Sequence, residues 1–188
     1  VPVIGDMMAT RWAYEGMVVE QFKNNAYEKP FFYLDQEISN LEYEVKLINE
    51  LRNTISETQL YLRTQKNMEL AVRNLDILNE YIDRFRLEVP EVKNDITGKL
   101  DIKSLDESTI AIIRKYFDQL DSYYNEEKFN VISELNKIRD GYVDHLGSDE
   151  AMIKFKNSYN NSSIVDIAAN KKEFKSIMRY NDRLIRKF

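Results

Sequence analysis

Between Pro30 and Pro90 the apolar residues of this chain fall into two stripes of helical spacing. Leu34, Ile38, Leu41, Val45, Ile48, Leu51 and Ile55 recur every three or four residues. Met68, Val72, Leu75, Leu78, Ile82, Phe85 and Val89 do the same. Such spacing puts each set on one face of an α-helix, with Glu37, Glu44 and Lys46 between the members of the first. A proline cannot continue a helix without losing a backbone hydrogen bond, so Pro30 and Pro90 bound the pair. A single helix of more than about 50 residues would be unusual in a globular domain. The polar run Ser56 to Asn67 is therefore expected to hold a turn or bend, at a position the spacing leaves open.

After Pro90 the stretch Glu91 to Lys103 reads as a loop, with Asn94-Asp95 and Gly98 as turn formers. Ser104-Leu105-Asp106-Glu107 has capping-box spelling and is expected to start the next helix. That helix carries Ile110, Ile113, Phe117, Leu120, Tyr124, Val131, Leu135, Ile138 and Tyr142, and should end at Gly147 in a left-handed cap. Ser148 is expected to cap a shorter helix through Met152, Phe155 and Tyr159. Ser163 is expected to cap Ile164 to Asn170, and a last amphipathic helix to run from Lys171 through Met178 to Leu184. Met7 to about Asn25 reads as a helix at the start of the chain. The best strand candidate, Phe31-Phe32-Tyr33-Leu34, is too short to build a sheet alone.

The scarcity of turn residues agrees. The chain has 5 Gly and 3 Pro in 188 residues, about a third of the usual share. A β-sandwich or a nucleotide-binding α/β fold needs more. Hydrophobic residues at 43% and aromatics at 12% exclude disorder. The expected fold is all-α: a bundle of three long antiparallel helices in two hairpins, with a helical opening segment and short C-terminal helices. Residues 1–29 form the opening segment and 30–188 the bundle.

The same inventory removes most chemistry. No cysteine is present, so thiol nucleophiles, zinc ribbons and disulfides are excluded. One histidine, His145, cannot supply a di-iron bundle. Near a helix C-terminus it reads as a capping or surface imidazole. No phosphate-cradling glycine loop, nucleophile elbow or calcium loop is spelled. Tyr123, Tyr124, Phe117 and Phe129 read as core filler rather than a pocket. A net charge of −5 without a Lys/Arg block argues against nucleic acid as a partner. No 18-residue apolar run is present to span a bilayer. No catalytic, cofactor-binding or metal-ligating set emerges, and the chain is not expected to be an enzyme. With Val1 in place of an initiating Met and no basic start, it reads as a piece of something longer.

On a helical wheel, Tyr14, Met7, Val18, Phe22, Met8, Val19 and Trp12 gather in one arc, with Arg11 and Glu15 in its middle. An ion pair set inside an apolar face would be costly to break from one side. The segment Met7-Met8-Ala9-Thr10-Arg11-Trp12-Ala13-Tyr14-Glu15-Gly16-Met17-Val18-Val19-Glu20-Gln21-Phe22 resembles a motif of ABC exporter permeases of the G subfamily. There, after the fifth membrane helix, the chain reads Arg-aromatic-small-aromatic-Glu-Ala and, shortly after, Asn-Glu-Phe. Arg11, Trp12, Ala13, Tyr14, Glu15 and Phe22 match it; Gly16 replaces the alanine, and Glu20-Gln21 stand for Asn-Glu.

The resemblance covers about 16 residues and implies an extracytoplasmic loop between the last two membrane helices, on the periplasmic side of the cell membrane. Its partners would be the membrane helices and second half of its own transporter, and an extracytoplasmic protein is a further possible one. ATP and magnesium would belong to the full-length transporter alone. The interface residues implied are Arg11, Trp12, Tyr14, Glu15 and Phe22. Two other classes fit the helical pattern itself: a free-standing adaptor that takes a partner helix in a groove, and a ligand-sensing domain of a membrane receptor.

Overall fold

The computed structural model describes residues 9–96, 98–159, 177–180 and 183–186, with the side chains of Ala9, Thr10 and Arg11 excepted. Among these are five helices and one two-stranded sheet. The helices are α1 (Ala9–Lys23), α2 (Phe32–Thr64), α3 (Met68–Glu88), α4 (Glu107–Leu146) and α5 (Asp149–Tyr159). The strands are β1 (Ile177–Tyr180) and β2 (Arg183–Arg186), paired antiparallel. The protein is an all-α bundle with a small hairpin added.

Most helix boundaries have a local cause. The break left open between Ser56 and Asn67 falls at residues 65–67, where Gln65 and Asn67 take φ of 54° and 55°. Left-handed backbone cannot propagate a right-handed helix, and asparagine tolerates it better than most residues. Gly147 ends α4 with φ 89° and donates its N–H to the Val143 carbonyl at 2.8 Å. Ser148 caps α5 through its hydroxyl, which accepts the Ala151 N–H at 3.1 Å. The cap of α4 is Asp106 rather than Ser104. Its carboxylate accepts the Thr109 N–H at 2.7 Å, whereas Ser104 is held in the preceding turn by Asp101.

The chain divides into two compact units: Val1–Ser39 with Phe129–Phe174, and Asn40–Lys128 with Lys175–Phe188. The expected separation of 1–29 from 30–188 is not the observed division. Aromatic contacts explain why α1 sorts with later residues of the first unit. Phe22 meets Phe32 edge-on with centroids 6.1 Å apart, and Tyr27 lies 5.4 Å from Phe31 and 6.3 Å from Phe155. Phe31 in turn packs on Tyr142 at 5.8 Å.

In the second unit, Arg52 reaches Asp118 at 2.7 Å and Gln59 bonds Arg114 at 2.9 Å. Moving forward along α2 is moving backward along α4, so these helices are antiparallel. The three-residue turn and the Glu44–Arg84 ion pair make α2 and α3 antiparallel too. It follows that α3 and α4 run in the same direction, and the second hairpin expected between them is absent. Residues 89–106 instead cross back along α3. Arg86 bonds the Ile96 carbonyl at 2.6 Å, Asn79 bonds Leu100, and Lys99 reaches Asp76 at 3.3 Å. Val89, Ile96, Leu100 and Leu105 of this crossover are buried and join the core of Leu47, Ile48, Leu51, Ile55, Leu78, Ile82, Phe85, Ile113, Phe117 and Leu120.

The hairpin corrects a second expectation. Residues Met178 to Leu184 were expected to be helical, yet 177–180 and 183–186 are strands in the register Ile177↔Arg186 and Tyr180↔Arg183. Phe32-Tyr33-Leu34, the segment with most strand character, lies inside α2. A single stretch cannot be a strand without a mate, and β1 finds one two residues on. Leu184 is buried in the core, and the Tyr81 hydroxyl donates to its carbonyl at 2.5 Å. The expected helix at Ile164 to Asn170, with Ser163 as its cap, lies outside the described residues.

Candidate functional surface

The exporter-like residues sit together on α1. Trp12 is 63% exposed, and Tyr14, Met17 and Val19 are also exposed. Among the described side chains of α1 only Val18 is buried, and Phe22 is half-buried against Phe32. Of the arc drawn on the wheel, the described Trp12, Tyr14 and Val19 are open, while a narrow strip at Val18 and Phe22 is covered within the first unit. Glu15, in the middle of the arc, is exposed, so the condition of burial under which the pair would be costly to break is not met on its side. The side chain of Arg11 lies outside the described residues. The helix is positioned from its far end. There the Asn25 side chain accepts the N–H groups of Tyr27 and Glu28 at 3.0 and 2.8 Å and donates to the Phe22 carbonyl at 2.9 Å. Lys23 lies over the rings of Phe32 and Tyr33, 5.4 and 4.8 Å from their centroids.

A second concentration of polar groups lies in the other unit, around Glu44. Its carboxylate pairs with Arg84, whose guanidinium also lies over the rings of Tyr81 and Phe85 at 5.2 and 4.7 Å. Burial pushes the Glu44 carboxyl above its usual range, against the opposing pull of Arg84. Burial likewise raises the hydroxyls of Tyr43, Tyr81 and Tyr124. The stripe pattern showed Glu44 only as a polar residue between core positions; its pairing needed α3. No nucleophile with a neighbouring base is assembled here, and the arrangement joins α2 to α3.

The remaining candidates are placed as follows. His145 is exposed in the last turn of α4, where a helix dipole favours positive charge. Phe117 and Tyr124 are buried and Tyr123 half-buried, while Phe129 is exposed. Among the described residues no group of three or more His, Asp or Glu could hold a metal ion. None of their helices is long and apolar enough to cross a membrane. Comparison with protein-family models, curated proteins and solved structures gave no match.

Proposed function

We propose that this chain is the extracytoplasmic module of an ATP-driven exporter whose permease is of the G-subfamily type, serving substrate passage or partner interaction outside the membrane. The observation that carries the reading is the exposure of Trp12, Tyr14, Met17 and Val19 on one helix, in the segment that resembles the exporter motif. Four large apolar side chains left open on fifteen residues suit a helix with a further surface to meet. Trp and Tyr are the residues enriched where protein meets the lipid headgroup layer. ATP hydrolysis would reside in a separate domain of the full-length protein, with this chain contributing contacts alone.

The coding sequence on either side tests the reading. Apolar spans immediately before Val1 and after Phe188, with a phosphate-binding glycine loop upstream, are expected. A reading frame lacking those spans overturns it. Within such a transporter, Trp12→Ala and Tyr14→Ala should lower export while the protein inserts at normal levels. Undiminished export by both variants would reduce α1 to a structural element.

A further inference from the structure

The β1–β2 hairpin is held on the bundle more by arginines than by apolar burial. In its register Ile177 stands opposite Arg186 and Arg179 opposite Leu184, so these four side chains share one face. On that face Leu184 is buried and Ile177 half-buried. Met178, Tyr180 and Ile185 belong to the other face and are 41%, 59% and 37% exposed. Most of the hairpin's apolar surface thus stays in water, and one leucine carries the burial. Polar contacts supply the rest. Arg179 donates to the Thr54 hydroxyl at 3.5 Å and reaches Glu57 at 4.0 Å, while Arg183 lies 3.5 Å from Glu80. Arg186 donates to the Asn40 side chain at 3.1 Å and lies over the Tyr43 ring, 5.1 Å from its centroid. Glu57 and Glu80 are exposed and their ion pairs are long, so dissolved salt weakens both.

The helices beneath do not need the hairpin in the same way. Among the described residues 21 buried apolar side chains form the core, and 20 of them lie on α2, α3, α4 and the crossover; the hairpin adds Leu184 alone. Taking it away removes one core side chain and the hydrogen bond from the Tyr81 hydroxyl. A two-stranded hairpin is marginal by itself in water, so leaving the helices and losing the strand pairing go together. Segments with few buried contacts and exposed polar attachments open at a lower free energy than the core they rest on.

We propose that the β1–β2 hairpin is a salt-sensitive strap: it leaves α2 and α3 as a unit while the helices stay folded, and it uncovers Tyr43, Thr54 and Tyr81 beside the carboxylates of Glu57 and Glu80. This goes beyond the exporter reading and does not depend on it, because neither α1 nor the permease resemblance is involved. Amide hydrogen exchange of the 188-residue chain tests it at about 0.1 M and about 1 M sodium chloride, between which the screening length falls from about 10 Å to about 3 Å. The paired amides of β1 and β2 should be protected, yet exchange at least about 100-fold faster than those around Leu51 and Phe117 in the core. High salt should speed the hairpin roughly three- to tenfold relative to the core, since two exposed ion pairs are lost. Arg179→Gln combined with Arg183→Gln removes both pairs, so at low salt it should exchange as the parent does at high salt and lose most of the salt response. Its helices should melt at the parent's temperature. Arg139→Gln, which removes a cation paired with Asp149 instead, is the control and should leave hairpin exchange unchanged. Hairpin amides as protected as the core, hairpin amides with no protection, or exchange indifferent to salt in the parent would each overturn the proposal. So would a double variant whose helices melt well below the parent's.

Discussion

Asn79 grips Leu100 with both ends of its side-chain amide: Nδ2 donates to the Leu100 carbonyl at 2.9 Å and Oδ1 accepts the Leu100 N–H at 2.8 Å. A helix side chain thereby satisfies a loop backbone that has left its own secondary structure, in a place water does not reach. Asn79→Leu keeps the size but orphans both backbone groups. It should cost about 2–4 kcal/mol in urea unfolding, the sum expected for two buried polar groups losing their partners. A loss near zero would mean the crossover is held by Ile96 and Leu100 packing alone.

Asn74 presents the opposite case. It is fully buried on α3, and neither its Nδ2 nor its Oδ1 has a hydrogen-bond partner. Replacement by a similarly shaped apolar residue removes a desolvation penalty without breaking a bond. Asn74→Leu should leave the chain as stable or raise stability by about 1 kcal/mol. Strong destabilisation would reveal a partner for the amide, such as an internal water.

Glu44 sets a pH dependence. Because burial raises its carboxyl above the ordinary 4.5, the folded chain holds that proton more tightly than the unfolded chain does. Stability linked to Glu44 therefore rises as pH falls through the raised value, and the gain is complete below the ordinary one. In thermal melts the parent should gain on Glu44→Gln as pH falls from neutral to below the ordinary 4.5. Asp101 and Asp106, held below their usual range by hydrogen bonds from Ser104 and Thr109, act in the other direction at lower pH. Both are present in parent and variant, so they cancel in the comparison. A flat difference would contradict the assignment.

One substitution should have opposite signs at two glycines of the same region. Gly147 needs its left-handed backbone, so Gly147→Ala should cost about 1 kcal/mol. Gly141 lies inside α4 with open space where a methyl would go, so Gly141→Ala should stabilise by about 0.5–1 kcal/mol. Equal effects in denaturant titrations would contradict the cap.

The helical stripes, the two prolines and Gly147 were enough to determine the all-α class, because helical period and helix ends are set within a few residues of each other. The same local signals placed Ser148 at the start of α5 and put Leu51, Ile55, Leu75, Leu78, Phe85 and Phe117 inside. They did not determine direction. Whether residues 89–106 turn back or cross over depends on which carbonyls Arg86 and Asn79 capture, and those lie 10 and 21 residues away. Nor did they decide Met178 to Leu184: Ile-Met-Arg-Tyr becomes a strand because Arg183–Arg186 pairs with it and Tyr81 and the core receive Leu184. On α1 the wheel drew the apolar arc but not its partner. How much of it is covered follows from the contacts of Val18 and Phe22 in the first unit, and only tertiary structure decides that Trp12 and Tyr14 stay outside, because burial belongs to what packs against a face and not to the face itself.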